Sequence, residues 1–217
     1  MEKFKRFTGN EQHNVTQAEV VEFTQNFRNS FGSNFPPGGF VDKTAVMSLI
    51  QQKQAVGMRY YYGLGHNGET HLLFVGTNSF RNDLLDGEAV KLSASNPALT
   101  NEGTYDSTAI DHEISMENAA KLTANYQEQN ESSQPIGGFF GKQAILRILE
   151  QKDCIGMRFY YGANNAGIRV MCLMGVDITG KDMFNGQLAE LSMGCPPWCG
   201  NRNPLNYAMH SSKTADL

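Results

Sequence analysis

The sequence predicts an α+β fold: a tandem duplication of one α-α-β-β module, antiparallel hairpins packed with helices about a pseudo-twofold axis. Three observations predict it. The phrase GMRYYYG (57–63) returns as GMRFYYG (156–162). A step of 137 − 38 = 99 residues lays GGFVDKTAVMSLIQQKQAVGMRYYYG (38–63) over GGFFGKQAILRILEQKDCIGMRFYYG (137–162) without a gap, and 13 of those 26 positions are identical. Each copy carries helix signals ahead of the phrase and strand signals within and after it.

Thr16-Gln-Ala-Glu19 is a capping box, in which threonine and glutamate satisfy each other's free backbone N–H groups. Val20, Phe23 and Phe27 follow at helical spacing; in the second copy Ser115 is the N-cap ahead of Ala119, Leu122 and Tyr126. Pro36-Pro37-Gly38-Gly39 and Pro135-Ile136-Gly137-Gly138 break the chain. The glycines and the lysines behind them, Lys43 and Lys142, read as the start of a second helix with both lysines solvated. Ala45, Val46, Leu49 and Ile50 share one face of it, as Ala144, Ile145, Ile148 and Leu149 do in the repeat.

Gly57 and Gly156 mark the change to strand. Alternation puts Met58, Tyr60 and Tyr62 on one face and Arg59 and Tyr61 on the other. Asn67-Gly68 predicts a type I′ hairpin turn. The return strands HLLFVG (71–76) and RVMCLMG (169–175) are apolar without alternation, which implies cover on both faces. Leu85–Ser93 and Phe184–Ser192 fit either a short strand or a helical turn. Val15, Asn26, Gly68, Gly76 and Asp83 recur as Ile114, Asn125, Gly167, Gly175 and Asp182, so the register extends to both sides.

Residues 1–99 therefore form a first module, 100–113 a polar linker, 114–193 a second module, and 194–217 a Cys/Pro-containing tail. A lone hairpin is marginal in water, so the two hairpins are expected to join edge to edge under four helices.

Composition narrows the function classes. Hydrophobic residues make up 40% and charged residues 18% of 217, the profile of a packed globular chain. Net charge is −4, with nine Lys+Arg against nine Asp+Glu over 1–99 and nine against thirteen over 100–217. No basic stripe stands out, which disfavours nucleic acid as a partner. MEKFKRFTGN lacks an apolar core behind its basic residues, and no run is long enough for a bilayer. A cytoplasmic location with no membrane partner is the expectation, and export by a signal-less route stays open.

GGFVDKT invites comparison with a phosphate-binding loop, but the second glycine is missing and no strand precedes it; that reading is rejected. Arg59 with Tyr61, and Arg158 with Tyr160, could grip an anion or a partner's aromatic groups. The plainer role is pairing with Asp83 and Asp182. Histidines 13, 66, 71, 112 and 210 show no metal spacing and read as surface groups. Nothing resembles a nucleophile elbow or a papain-type cysteine, so no catalytic residue is assigned.

The tail GCPPWCGNRNPLN (194–206) is the most unusual stretch. Cys195 and Cys199 are spaced C-x3-C, unlike the C-x2-C of zinc or redox pairs. Cys154 and Cys172 stand where the first copy has Ala55 and Leu73, as core fillers. A metal would require those thiols to converge on the tail, and no metal or cofactor is expected. A short-loop disulfide between Cys195 and Cys199 is open for an exported chain. The plainest reading is a proline turn that presents Trp198 to a neighbouring surface.

GGFFGK (137–142), IGMRFYYG (155–162), GVDITGKD (175–182) and CPPWCGNRNPLN (195–206) together resemble a bacterial protein family common in the Bacteroidota. The resemblance covers nearly all of the second module and, more loosely, the first, where Asn78 stands in place of Asp177 and the cysteine tail is lacking. It implies a bacterial source and supplies no site residues. The expected function is a non-enzymatic structural or interaction protein that assembles with itself, as an oligomer or filament, or docks another protein. The alternative is a small anionic ligand-binding protein or enzyme. Its site would lie in the cleft between modules, lined by Arg59, Tyr61, Asp83, Arg158, Tyr160 and Asp182.

Overall fold

Helix α1 (Gln17–Phe31) starts where the capping box places it: Thr16 Oγ1 accepts the Glu19 N–H and Glu19 accepts the Thr16 N–H. The computed structural model describes residues 6–32, 38–86, 90–130, 132–190 and 192–207. These residues form an α+β fold of four helices and two antiparallel sheets. After α1 come β1 (Gly38–Asp42), α2 (Lys43–Ile50), β2 (Ala55–Leu64), β3 (Thr70–Asn78) and β4 (Val90–Leu92). Then follow α3 (Met116–Gln129), β5 (Gly137–Gly141), α4 (Lys142–Leu149), β6 (Cys154–Ala163), β7 (Arg169–Asp177), β8 (Leu188–Ala189) and β9 (Met193–Cys195). Ser115 caps α3 through the Asn118 N–H, and Asp42 caps α2 through the Ala45 N–H.

GGFVD and GGFFG are strands rather than helix starts, which corrects the sequence reading. The reason lies far away along the chain. β1 pairs with β6, Gly38 opposite Tyr160, and β5 pairs with β2, Gly137 opposite Tyr61. A Cβ on Gly38 would sit 1.8 Å from the Phe159 carbonyl oxygen, and one on Gly137 would sit 2.1 Å from that of Tyr60. Only glycine permits so close a backbone approach.

The hairpins do not join edge to edge, as the sequence reading expects. They lie in different sheets, β1-β6-β7-β8 and β4-β3-β2-β5-β9. Each hairpin's open edge is taken by a Gly-Gly-Phe strand from the distant half of the chain, which satisfies its N–H and C=O groups. Lys43 is half-buried rather than fully solvated; its Nζ donates to the Leu149 carbonyl at 2.6 Å, at the C-terminal end of α4.

One core fills the space between the sheets. Met58, Tyr60, Tyr62, Leu72 and Phe74 face Met157, Phe159, Tyr161, Met171 and Leu173 across it, with the buried sides of α2 and α4. The rings of Phe74 and Phe159 lie 5.7 Å apart and those of Tyr62 and Tyr161 6.0 Å apart. Each such side chain, fully buried, contributes about 1.5–3 kcal/mol. The outer faces are covered as well: α3 lies over Tyr61, Leu73 and Val75, and α1 over Cys172, Met174 and Leu188. Two-sided cover explains why the return strands are continuously apolar.

The β2–β3 connection is not type I′. Gly68 donates to the Gly65 carbonyl at 3.1 Å and has φ +83°, whereas Asn67 keeps a negative φ. The second copy does the same, with Gly167 donating to Asn164 at 2.9 Å. Of the two ambiguous stretches, Val90–Leu92 and Leu188–Ala189 are short strands, while residues 87–89 and 191 lie outside the described residues. The 100–113 segment is tied down: Tyr105 donates its N–H to the Ile178 carbonyl at 2.9 Å and its hydroxyl to Asp42 Oδ2 at 3.2 Å.

Candidate functional site

Arg59 sits mid-strand on the outer face of β2, where alternation predicts it, and is fully buried. Its Nη1 pairs with Asp83 Oδ1 at 2.8 Å and donates to the Arg81 carbonyl at 3.0 Å. Its Nη2 donates to the Trp198 carbonyl at 2.9 Å. Tyr61 donates to Asp83 Oδ2 at 2.5 Å, and Asn203 Nδ2 donates to the same oxygen at 2.8 Å. Burial opposes the Arg59 charge, but Asp83 and Tyr61 outweigh it, so the guanidinium's pKa is raised. The Tyr61 phenol is pushed well up, first by burial and then by the Asp83 carboxylate.

Arg158 repeats the motif in looser form. It pairs with Asp182 Oδ1 at 3.1 Å, Tyr160 donates to Asp182 Oδ2 at 2.5 Å, and the two charged side chains keep 15% and 26% of their exposure. Burial and then Asp182 raise the Tyr160 phenol. Within each cluster the structure brings the expected residues together. Between clusters it does not: Arg59 and Arg158 occupy the outward faces of two different sheets, with the whole core between them. A shared anion pocket lined by both is ruled out by this geometry.

Trp198, read from the sequence as an anchor for a neighbouring surface, packs in part against its own chain. It is half-buried, its ring centroid lies 6.5 Å from that of Phe7, and the Arg81 guanidinium lies 5.7 Å over it. β9 adds to β5, and Leu205 is buried against the outer side of the sheet. The tail is thus a latch closed by Arg59. Cys195 and Cys199 form a disulfide, while Cys154 and Cys172 are free and buried. Among the described residues no group of His, Cys, Asp and Glu could hold a metal ion, and no helix is long and apolar enough to cross a membrane.

His13 and His112 are buried, which corrects the surface reading; His210 lies outside the described residues. They stand 112 − 13 = 99 residues apart, the step at which the sequence phrases repeat, and that spacing is the signal that finds them. His112 Nδ1 lies 2.7 Å from the Leu92 carbonyl, which can only accept, so Nδ1 carries the proton. Nε2 then accepts the Asp42 N–H at 3.3 Å. Asp42 Oδ2, 3.6 Å from Nε2, also accepts from Tyr105, whose phenol is pushed up by burial and then by Asp42. With its lone pair occupied by a backbone N–H, His112 is not poised as a general base.

Three clefts open among the described residues. The first, of about 530 Å³, lies at the β2–β3 turn and includes Glu69, Thr70, His71, Ser93, Ser95 and, from β6, Phe159 and Tyr161. The second, of about 420 Å³, lies at the β6–β7 turn and includes Ser133, Ile168, Arg169, Val170, Ser192, Gly194 and Pro196. The third, of about 460 Å³, is bordered by Asp42, Lys91, His112 and Glu113, in which Lys91 and Glu113 form an ion pair. Arg169 is a residue that the sequence reading passes over; its signal is an arginine where the first copy has Thr70. No protein-family model, curated protein or solved structure matches this chain.

Proposed function

We propose that the chain is a tandem duplication with pseudo-twofold symmetry, and that it is a non-enzymatic interaction protein. It docks a partner protein, or a second copy of itself, through the paired clefts at its hairpin turns. The observation that carries this reading is the clefts' common lining. Glu69, Thr70, His71, Ser93 and Ser95 of the first lie 99 residues before Ile168, Arg169, Val170, Ser192 and Gly194 of the second. The crossed pairing supports the symmetry: adding 99 to Gly38 gives Gly137, and adding it to Tyr61 gives Tyr160, so the two registers are reciprocal.

Strand addition is the less favoured route of assembly, because the sheet edges are covered. β1 exchanges hydrogen bonds with Ala94, β4 is met by His112, and β8 by His13. The remaining edge, β9, is three residues long and runs into Pro196-Pro197. Covered, short or proline-blocked edges resist further pairing. The clefts are where related surfaces appear twice.

Light scattering across protein concentration, together with capture assays, tests the proposal. Ser95→Trp and Ser133→Trp fill the rims at exposed positions. The reading expects a self-association or a captured partner that both substitutions weaken. A strict monomer at high concentration, with no capture that depends on the clefts, contradicts it.

A further inference from the structure

We infer that the cleft at the β6–β7 turn is a carboxylate-binding site centred on Arg169. This deepens the docking proposal for that cleft and rests on it. Arg169 is half-buried and opens β7. Its Nη1 donates to Tyr126 Oη at 2.5 Å and to Asn130 Oδ1 at 2.7 Å. The guanidinium carbon lies 4.6 Å over the Phe31 ring. Its backbone N–H donates to Gln134 Oε1 at 2.9 Å. Every one of these partners is neutral.

The contrast with Arg59 and Arg158 decides the reading. Arg59 is balanced by Asp83 and Arg158 by Asp182. Among the described residues no carboxylate pairs with Arg169, while its Nε, like those of Arg59 and Arg158, is shielded from solvent without an acceptor. Withdrawing a full charge from water without a counter-ion is unfavourable, and an incoming anion removes that penalty. The guanidinium is also held in place by its neutral neighbours, so little rotamer entropy remains to be lost on binding. With both Nη1 hydrogens taken by Tyr126 and Asn130, Nη2 is the nitrogen left to donate to a carboxylate oxygen.

Charge sets the ligand class. Among the described residues Arg169 is the one charged side chain lining this cleft, beside Ser133, Ser192 and Asn164. A single positive charge balances a carboxylate, whereas a phosphate dianion calls for a second cation. The related cleft carries Glu69 and His71 around Thr70 and offers no arginine, so the preference belongs to one cleft of the pair.

Amide chemical shifts, recorded at constant ionic strength, test the site. The probes are acetate, chloride, and acetyl-Ala-Ala-Ala with a free or an amidated C-terminus. Acetate should give saturable shifts at Arg169, Ser133 and Asn164 that chloride does not reproduce. The free-acid peptide should behave like acetate and the amidated one should not, if the carboxylate comes from a chain end; acetate alone marks a small-molecule source. Arg169→Gln should weaken binding about tenfold or more. Because Arg169 also packs against α3, Ser133→Glu serves as a second variant; it adds a negative charge at an exposed rim position and should weaken binding several-fold. Equal shifts with chloride, or unchanged titrations in both variants, overturn the inference. Acetate binding by a protein that docks nothing would keep this site and remove the docking reading; cleft-dependent docking without an acetate response would do the reverse.

Discussion

His13 accepts the Gly141 N–H at 3.0 Å, and His112, 99 residues later, accepts the Asp42 N–H at 3.3 Å. In each case the bond reaches the last residue of a Gly-Gly-Phe strand, the residue that caps the following helix. One imidazole thus ties each segment that leads into α1 or α3 to a strand contributed by the other half.

Replacing either histidine with phenylalanine leaves a buried backbone donor without its acceptor, which costs about 1–3 kcal/mol. The expected outcome is a similar loss for His13→Phe and His112→Phe in urea unfolding. A large loss for one and none for the other would show that their roles differ.

The two arginines should separate. Arg59→Ala leaves the fully buried Asp83 carboxylate without its cation and frees the tail at Trp198, which should cost about 3–5 kcal/mol. Arg158→Ala acts on a partly solvated pair and should cost about 1 kcal/mol or less. Equal losses in denaturant titrations would contradict this ranking.

Alkali should unfold the protein cooperatively. Burial raises the phenols of Tyr60, Tyr61, Tyr62 and Tyr161 above their ordinary value of 10.0. The folded state therefore holds its protons where the unfolded chain has released them. Stability is fully present below pH 10 and falls as pH rises above it, by about 1.4 kcal/mol per pH unit for each such tyrosine. Tyrosinate absorbance and far-UV circular dichroism should change together in one steep step. Gradual phenol ionisation with the fold intact would contradict the burial.

What was legible in the sequence was local or repeated. Thr16 and Ser115 announce their helices because a cap is satisfied within three residues. Alternation places Arg59 and Tyr61 opposite Tyr60 because a strand turns its side chains over at each residue. The short strands at Gly38 and Gly137 were not legible, since their partners Tyr160 and Tyr61 lie 160 − 38 = 122 and 137 − 61 = 76 residues away. Glycine pairs read locally as breaks, and only the distant carbonyl of Phe159 or Tyr60 explains them. Trp198 was legible as an anchor, and its contacts with Phe7 and Arg59 were not, because they join it to distant parts of its own chain. Arg169 went unread because what singles it out, that no carboxylate among the described residues pairs with it, exists only in the folded chain.

The crossed pairing builds the first cleft, which takes its glycines from β1 and its Phe159 and Tyr161 wall from β6. Cross-strand nuclear Overhauser contacts measure it directly. The account predicts Phe40 against Arg158 and Phe139 against Arg59. Contacts of Phe40 with Arg59 and of Phe139 with Arg158 instead, each strand pairing inside its own copy, would contradict it.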